Sequence, residues 1–153
     1  MKILVDSDSC PKQVRTIIAR ASIREHVKAV FVANRKIPIL KSDSISMVLV
    51  SPGEGGADEY ILKNISQDDI VITRDIPLAA ELVKRGILTM NDRGMVFSME
   101  NIGERLSMRD FMHNLRQKGI NIPEEDNFGP KEVKSFADAF DREFHKLLRR
   151  ENG

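Results

Sequence analysis

The sequence predicts one α/β domain, a three-layer α/β/α sandwich built on a mainly parallel sheet of four or five strands, with helices added at its C-terminal end. Short, continuously apolar runs alternate with helical stretches as far as residue 90, which is the signature of βαβ units. The runs do not alternate apolar with polar, as expected of strands covered on both faces. Beyond residue 98 only helical periodicity remains. At 153 residues the chain has the length of a single domain, and 41% hydrophobic residues are enough to fill its core. Residues 1–153 therefore read as one unit, with 99–153 a helical extension packed on it and covering the sheet.

Ile3-Leu4-Val5 is a first strand ending at Asp6. Asp8-Ser9-Cys10-Pro11 reads as a helix start, with Ser or Asp as cap and Pro near the first turn. Val14, Ile17, Ile18 and Ala21 give that helix its apolar face. Ala29 to Ala33 is a second strand, ending at Asn34, and Met47 to Val50 a third, closed by Pro52-Gly53. Ala57 to Ile65 reads as a helix, Ile70 to Thr73 as a fourth strand and Pro77 to Arg85 as a helix stopped by Gly86. Ile87 to Met90 is a fifth strand. Ser107-Met108-Arg109-Asp110 resembles a capping box opening a helix that carries Phe111, Met112 and Leu115 and stops at Gly119. A loop from Ile122 to Pro130 precedes a last helix with Phe136, Phe140, Phe144 and Leu147 on one face.

Charge and cysteine content narrow the function classes. Charged residues make up 31% of the chain, yet the net charge is only +1, which argues against a polycation coating nucleic acid or membrane. Lys and Arg outnumber acids nine to four in residues 1–50, and acids outnumber them nine to five in 51–100. A basic third beside an acidic one suits a site that joins phosphate contacts to metal-binding carboxylates; random surface variation accounts for it equally. One cysteine fits a reducing compartment, and a charge after three apolar residues is too early for a signal peptide. No apolar run approaches a membrane span. A cytoplasmic location is expected.

In an open α/β sheet, ligands bind beyond the carboxyl ends of the strands, where strand order reverses. The residues there are Asp6 and Asp8, Asn34, the Gly53–Asp58 turn and Asp75. Two carboxylates as close as Asp6 and Asp8 repel unless a cation lies between them or one is protonated. Mg²⁺ and Mn²⁺ prefer hard oxygen ligands, so Asp6, Asp8, Asp58 and Asp75 are both the candidate metal ligands and the candidate catalytic residues. Singly, each has a structural account: Asp8 and Asp75 as helix caps, Asp58 as a first-turn partner of the helix dipole. Asp6 is harder to explain so, because a strand interior is a poor place for a lone charge.

Val5-Asp6-Ser7-Asp8-Ser9-Cys10-Pro11, Asp69 to Ala79, Asn91-Asp92-Arg93-Gly94 and Leu106 to Met112 resemble, in that order, the signatures of the YaiI/YqxD family of uncharacterised bacterial proteins. That family is in turn similar to PIN-like nuclease domains. The resemblance implies Mg²⁺- or Mn²⁺-dependent cleavage of RNA, with Asp6, Asp75 and Asp58 at the matching acidic positions. Ser7 and Ser9 stand where alanines are common. Gly55 stands where the family often has an acid, which weakens a two-metal mechanism more than metal binding itself.

Asn34, Lys12, Arg15 and Arg109 are the candidate substrate contacts, and Arg35 is a further cation of the basic first third. Arg74, beside Asp75, fits either a phosphate contact or an ion pair. Cys10 opens a helix, where the dipole favours a thiolate, but a structural role is expected of it. His26, His113 and His145 lack ligand spacing and read as surface residues. No phosphate-loop pattern occurs, so no nucleotide cofactor is expected. One Tyr and no Trp leave no evident aromatic platform for bases. Two other readings stand beside the nuclease. One is a haloacid-dehalogenase-type phosphotransferase with Asp6 as nucleophile and Thr73 in its second motif. The other is a non-catalytic protein that uses the acidic pocket to bind metal.

Overall fold

A computed structural model describes residues 1–52, 56–122 and 128–152. Five strands form one all-parallel sheet: β1 (Lys2–Asp6), β2 (Lys28–Ala33), β3 (Ile45–Leu49), β4 (Ile70–Ile72) and β5 (Leu88–Met90). Their spatial order is β3-β2-β1-β4-β5. The chain thus moves outward from β1 in one direction, then crosses back to continue on its other side with β4. The reversal lies between β1 and β4, which pair from Ile3 opposite Ile70 to Val5 opposite Ile72.

Side-chain alternation sorts the strand residues onto two faces. Ile3, Val5, Ala29, Phe31, Ile70 and Ile72 face a layer made by α1 (Lys12–Glu25) and α5 (Pro130–Asn152). Leu4, Val32 and Val71 face α2 (Gly56–Asn64) and α3 (Ile76–Lys84) through Ile61, Leu78 and Leu82. The four-residue spacing of Phe136, Phe140 and Phe144 stacks their rings along α5, with successive centroids 5.4 and 5.3 Å apart, and all three are buried. The C-terminal helix is therefore part of the main core. β3 departs from the expected buried strand: it is a sheet edge paired only with β2, and Leu49 on it is 53% exposed.

Three local expectations are corrected. Neither Asp8 nor Ser9 caps α1; Pro11 takes the N-cap position without a side-chain hydrogen bond, and Asp8 is drawn away to the end of β2. The capping box near residue 107 does not exist, because α4 (Met99–Gln117) begins two turns earlier. There Ser98 accepts from the Asn101 amide while the Asn101 side chain accepts from Ser98 N–H, so the shorter Asn does the work of the usual Glu or Gln. Finally, α4 does not cover the sheet. Ile102 and Leu106 pack it along α3 against Ile76, Ala79 and Val83. Part of the loop expected at 122–130, and Gly53 to Gly55, lie outside the described residues. Among the described residues no helix is long and apolar enough to cross a membrane.

The turn Asn91-Asp92-Arg93-Gly94 fastens α5 to the sheet. Asn91 Oδ1 accepts from the amides of Arg93 and Met95, and Ser135 Oγ donates to the Arg93 carbonyl. Gly94 has φ +88°, and a Cβ there would lie 2.6 Å from the Ser135 carbonyl oxygen. Gly94→Ala combines left-handed strain with a backbone clash and is expected to cost about 2–3 kcal/mol. Thermal melts should show a fall of roughly 5–10 °C; an unchanged melting temperature contradicts this account of the turn.

Candidate metal centre at the strand ends

The sheet reversal opens a cleft of ≈ 470 Å³ whose walls include Asp6, Asp8, Asn34, Asp58, Asp75 and Arg109. All four candidate aspartates, two of the four candidate substrate contacts and the carboxyl ends of β1, β2 and β3 thus meet at one place. Lys12 and Arg15 do not. They line a separate, mostly apolar hollow with Ala19, Pro38, Ile39 and Leu40, because α1 turns their side chains away from the carboxyl edge.

Each carboxylate is positioned by a different element. Asp6 ends β1, on the same sheet face as Leu4, and its Oδ2 accepts from Thr73 Oγ1 at 2.9 Å. The Thr73 hydroxyl in turn accepts from the Asp75 amide at 3.0 Å. Thr73 therefore ties the ends of β1 and β4 together from a buried position. Asp75 is the N-cap of α3, and its Oδ1 accepts from the Leu78 amide at 3.0 Å. The structural reading of Asp75 as a cap and its place in the cleft are both true, since only one of its two oxygens is used by the cap. Asp8 takes the Asn34 amide on both oxygens, each at 3.0 Å, which anchors the β1–α1 turn to the end of β2. Asp58 comes from the first turn of α2.

The electrostatics register the crowding. Burial, and then the charges of Asp75 and Asp8, push the Asp6 carboxyl up, against the lowering effect of the Thr73 hydrogen bond. Asp58 is pushed up to about 6 by its own desolvation, by the charge of Asp75, by a hydrogen bond with that carboxyl, and by Asp6 and Glu59. Four acids facing one space oppose one another's charge, and either a proton or a cation relieves that repulsion. Two cations stand at the rim: Arg109, and Arg74, which lies in an adjoining hollow with Asp6, Ser9 and Asp75. Arg74 also pairs with the buried Asp92, so the ion-pair reading of this residue holds.

The aspartates lining the cleft offer oxygen atoms only, the ligand type that a hard divalent cation takes. Among the described residues, no three His, Cys, Asp or Glu side chains are already gathered into a metal-holding group. Asp6 and Asp75 each give one oxygen to a protein donor and Asp8 gives both, so at Asp8 a cation would have to compete with the Asn34 amide. Desolvation, with the charge of Asp92 adding to it, pushes the Cys10 thiol up to about 12, the direction opposite to a helix dipole's. His26 and His113 are exposed and His145 is half-buried.

Thr73 is a part of this site that sequence reasoning undervalued. Its signal is a hydroxyl directly after an apolar strand, two residues before an aspartate.

A family model described as an uncharacterized bacterial group, the YaiI/YqxD family, matches residues 4–146. The chain is 46% identical over 149 residues to a UPF0178 protein of Treponema pallidum (strain Nichols), covering 97% of this chain and 84% of that one. It is 42% identical over 151 residues to a UPF0178 protein of Myxococcus xanthus (strain DK1622), covering 99% of each. A UPF0178 protein of Syntrophobacter fumaroxidans (strain DSM 10017 / MPOB) is 44% identical over 149 residues, covering 97% of each. No solved structure matches the chain.

Proposed function

We propose that this chain, which belongs to the uncharacterised YaiI/YqxD family, is a Mg²⁺- or Mn²⁺-dependent phosphodiesterase that cleaves RNA. The observation that carries the reading is the meeting of Asp6, Asp8, Asp58 and Asp75 in one cleft at the sheet's reversal point. The resemblance to PIN-like nuclease domains, which place acids at the matching positions, supports it by analogy of fold.

Asp6 and Asp75 are the residues that would hold the cation directly, with Asp8 and Asp58 beside them. When bound, the cation would polarise a phosphate oxygen and lower the pKa of an attacking water. Thr73 keeps the Asp6 carboxylate facing the cleft, a geometric role that leaves Asp6 Oδ1 for a ligand. Asn34 and Arg109, both in the cleft wall, orient the phosphate backbone. Arg74, fixed by Asp92, supplies positive charge next to the carboxylates. The Asp58 carboxyl, raised by burial and by the charge of Asp75, is one whose ionised form a cation would stabilise.

The test is incubation of purified protein with end-labelled single-stranded RNA in Mn²⁺ and in EDTA. Cleavage only in Mn²⁺ is the expected result. Intact RNA under both conditions, with Mn²⁺ still bound, points to a metal-binding protein without hydrolase activity. An acyl-phosphate trapped on Asp6 with a phosphate-ester substrate identifies the dehalogenase-type phosphotransferase, since metal-assisted hydrolysis forms no such adduct.

A further inference from the structure

The second half of α4 stands at the surface along its whole length. From Ser107 to Lys118 none of its residues is buried, although the helix carries large apolar side chains there: Met108 is 53% and Phe111 58% exposed. The helix is well begun, by the Ser98–Asn101 box, and its first half is seated on α3. Its second half is an exposed arm that starts at the cleft, where Arg109 forms part of the wall.

Arg105, Arg109 and Arg116 are spaced by four and seven residues, which sets them on one face of the helix. The row is about 16 Å long at 1.5 Å per residue, the reach of a few consecutive phosphates. Met108 and Met112 lie alongside it, and Phe111 farther round. Between residues 105 and 118 the sequence carries four Lys or Arg residues and one acid, Asp110. That acid pairs with Arg109 only through an exposed contact of 3.3 Å, which is weak and easily exchanged for a phosphate. Two such arms, both positive, repel each other, so the charge favours a polyanion over a second copy of the chain.

We infer that this arm is a binding track for single-stranded RNA, with the arginine row on successive phosphates and Phe111, flanked by the methionines, offering an apolar surface to the bases. The inference rests on the nuclease reading of the acidic cleft and adds to it where the strand leaves that cleft. Net charge near zero concealed the track, because Lys and Arg are matched by acids, ten to ten, over residues 101–153.

The test uses the whole chain and a 5′-fluorescein 12-nucleotide single-stranded RNA, with fluorescence anisotropy in EDTA across a salt series, so that binding is read without cleavage. Arg105→Gln/Arg116→Gln should weaken binding about tenfold and reduce the slope of log K against log salt by about 1.4, at ~0.7 per lost contact on a single strand. Its helical circular dichroism and its Mn²⁺ titration should match wild type. Equal affinity and slope in the two proteins, or no RNA binding by wild type, overturns the inference. So does a concentration-dependent dimer that Met108→Asp dissolves, which makes the face a contact between copies. If Asp6→Asn leaves Mn²⁺ binding intact while the double variant still loses RNA affinity, the cleft reading fails and the track stands.

Discussion

Asp6→Asn is expected to reduce Mn²⁺-dependent RNA cleavage by about a hundredfold or more without loosening the fold. Asn keeps a carbonyl oxygen to accept the Thr73 hydroxyl, so the link between β1 and β4 survives. It removes one negative charge from a place where burial and two neighbouring aspartates already oppose that charge. The variant without metal should therefore melt at or above the wild-type temperature while its activity is lost. Ordinary structural damage moves both readouts downward together. The assay to run is cleavage rate beside thermal melting in EDTA; retention of more than about a tenth of the activity contradicts the ligand role given to Asp6.

The second large effect is on pH dependence. The Asp58 carboxyl, held up at about 6, must lose its proton to accept a cation, so Mn²⁺ affinity should fall up to about tenfold per pH unit below that value. Fold stability responds in the opposite sense. A carboxyl raised above its unfolded value stabilises the protonated fold fully below about pH 4, and that contribution disappears as pH rises through about 6. In EDTA, wild type should thus gain melting temperature relative to Asp58→Asn as the pH is lowered from about 7 to about 5. With saturating Mn²⁺ near pH 7 wild type should melt above Asp58→Asn, because binding stabilises it by about 2.7 kcal/mol at roughly a hundred times the dissociation constant. Parallel melting curves for the two proteins at every pH, with and without Mn²⁺, contradict this account of Asp58.

Much of this was legible in the residues themselves. Continuous apolar runs such as Ile3-Leu4-Val5 and Ile70-Val71-Ile72 announce parallel strands because both faces are buried, and the aspartates that end them sit where such sheets bind ligands. The convergence of Asp58 with Asp6 and Asp75 follows once strand order is known, but sequence alone does not give strand order. Helix starts were less legible. Asp8 looks like a cap, yet a distant amide, that of Asn34, competes for it and wins. Ser107 looks like the start of a helix, but the chain is already helical there because Ser98 and Asn101 begin it two turns earlier. The cations were hardest to assign. Lys12 and Arg15 follow the right strand but are rotated by α1 into another hollow, whereas Arg109, far away in sequence, is carried to the cleft by α4.

Asp75→Asn separates the metal question from the helix question, since Asn caps about as well as Asp and can still accept from the Leu78 amide. Asp138, exposed on α5 and paired with Lys134, is a carboxylate remote from the cleft and serves as the control. Calorimetric titration of Mn²⁺ into wild type, Asp6→Asn, Asp75→Asn and Asp138→Asn is the most direct test. The account predicts saturable binding to wild type and Asp138→Asn, with affinity at least about tenfold weaker in each of the two cleft variants. Equal binding by all four proteins, or none by wild type, contradicts it.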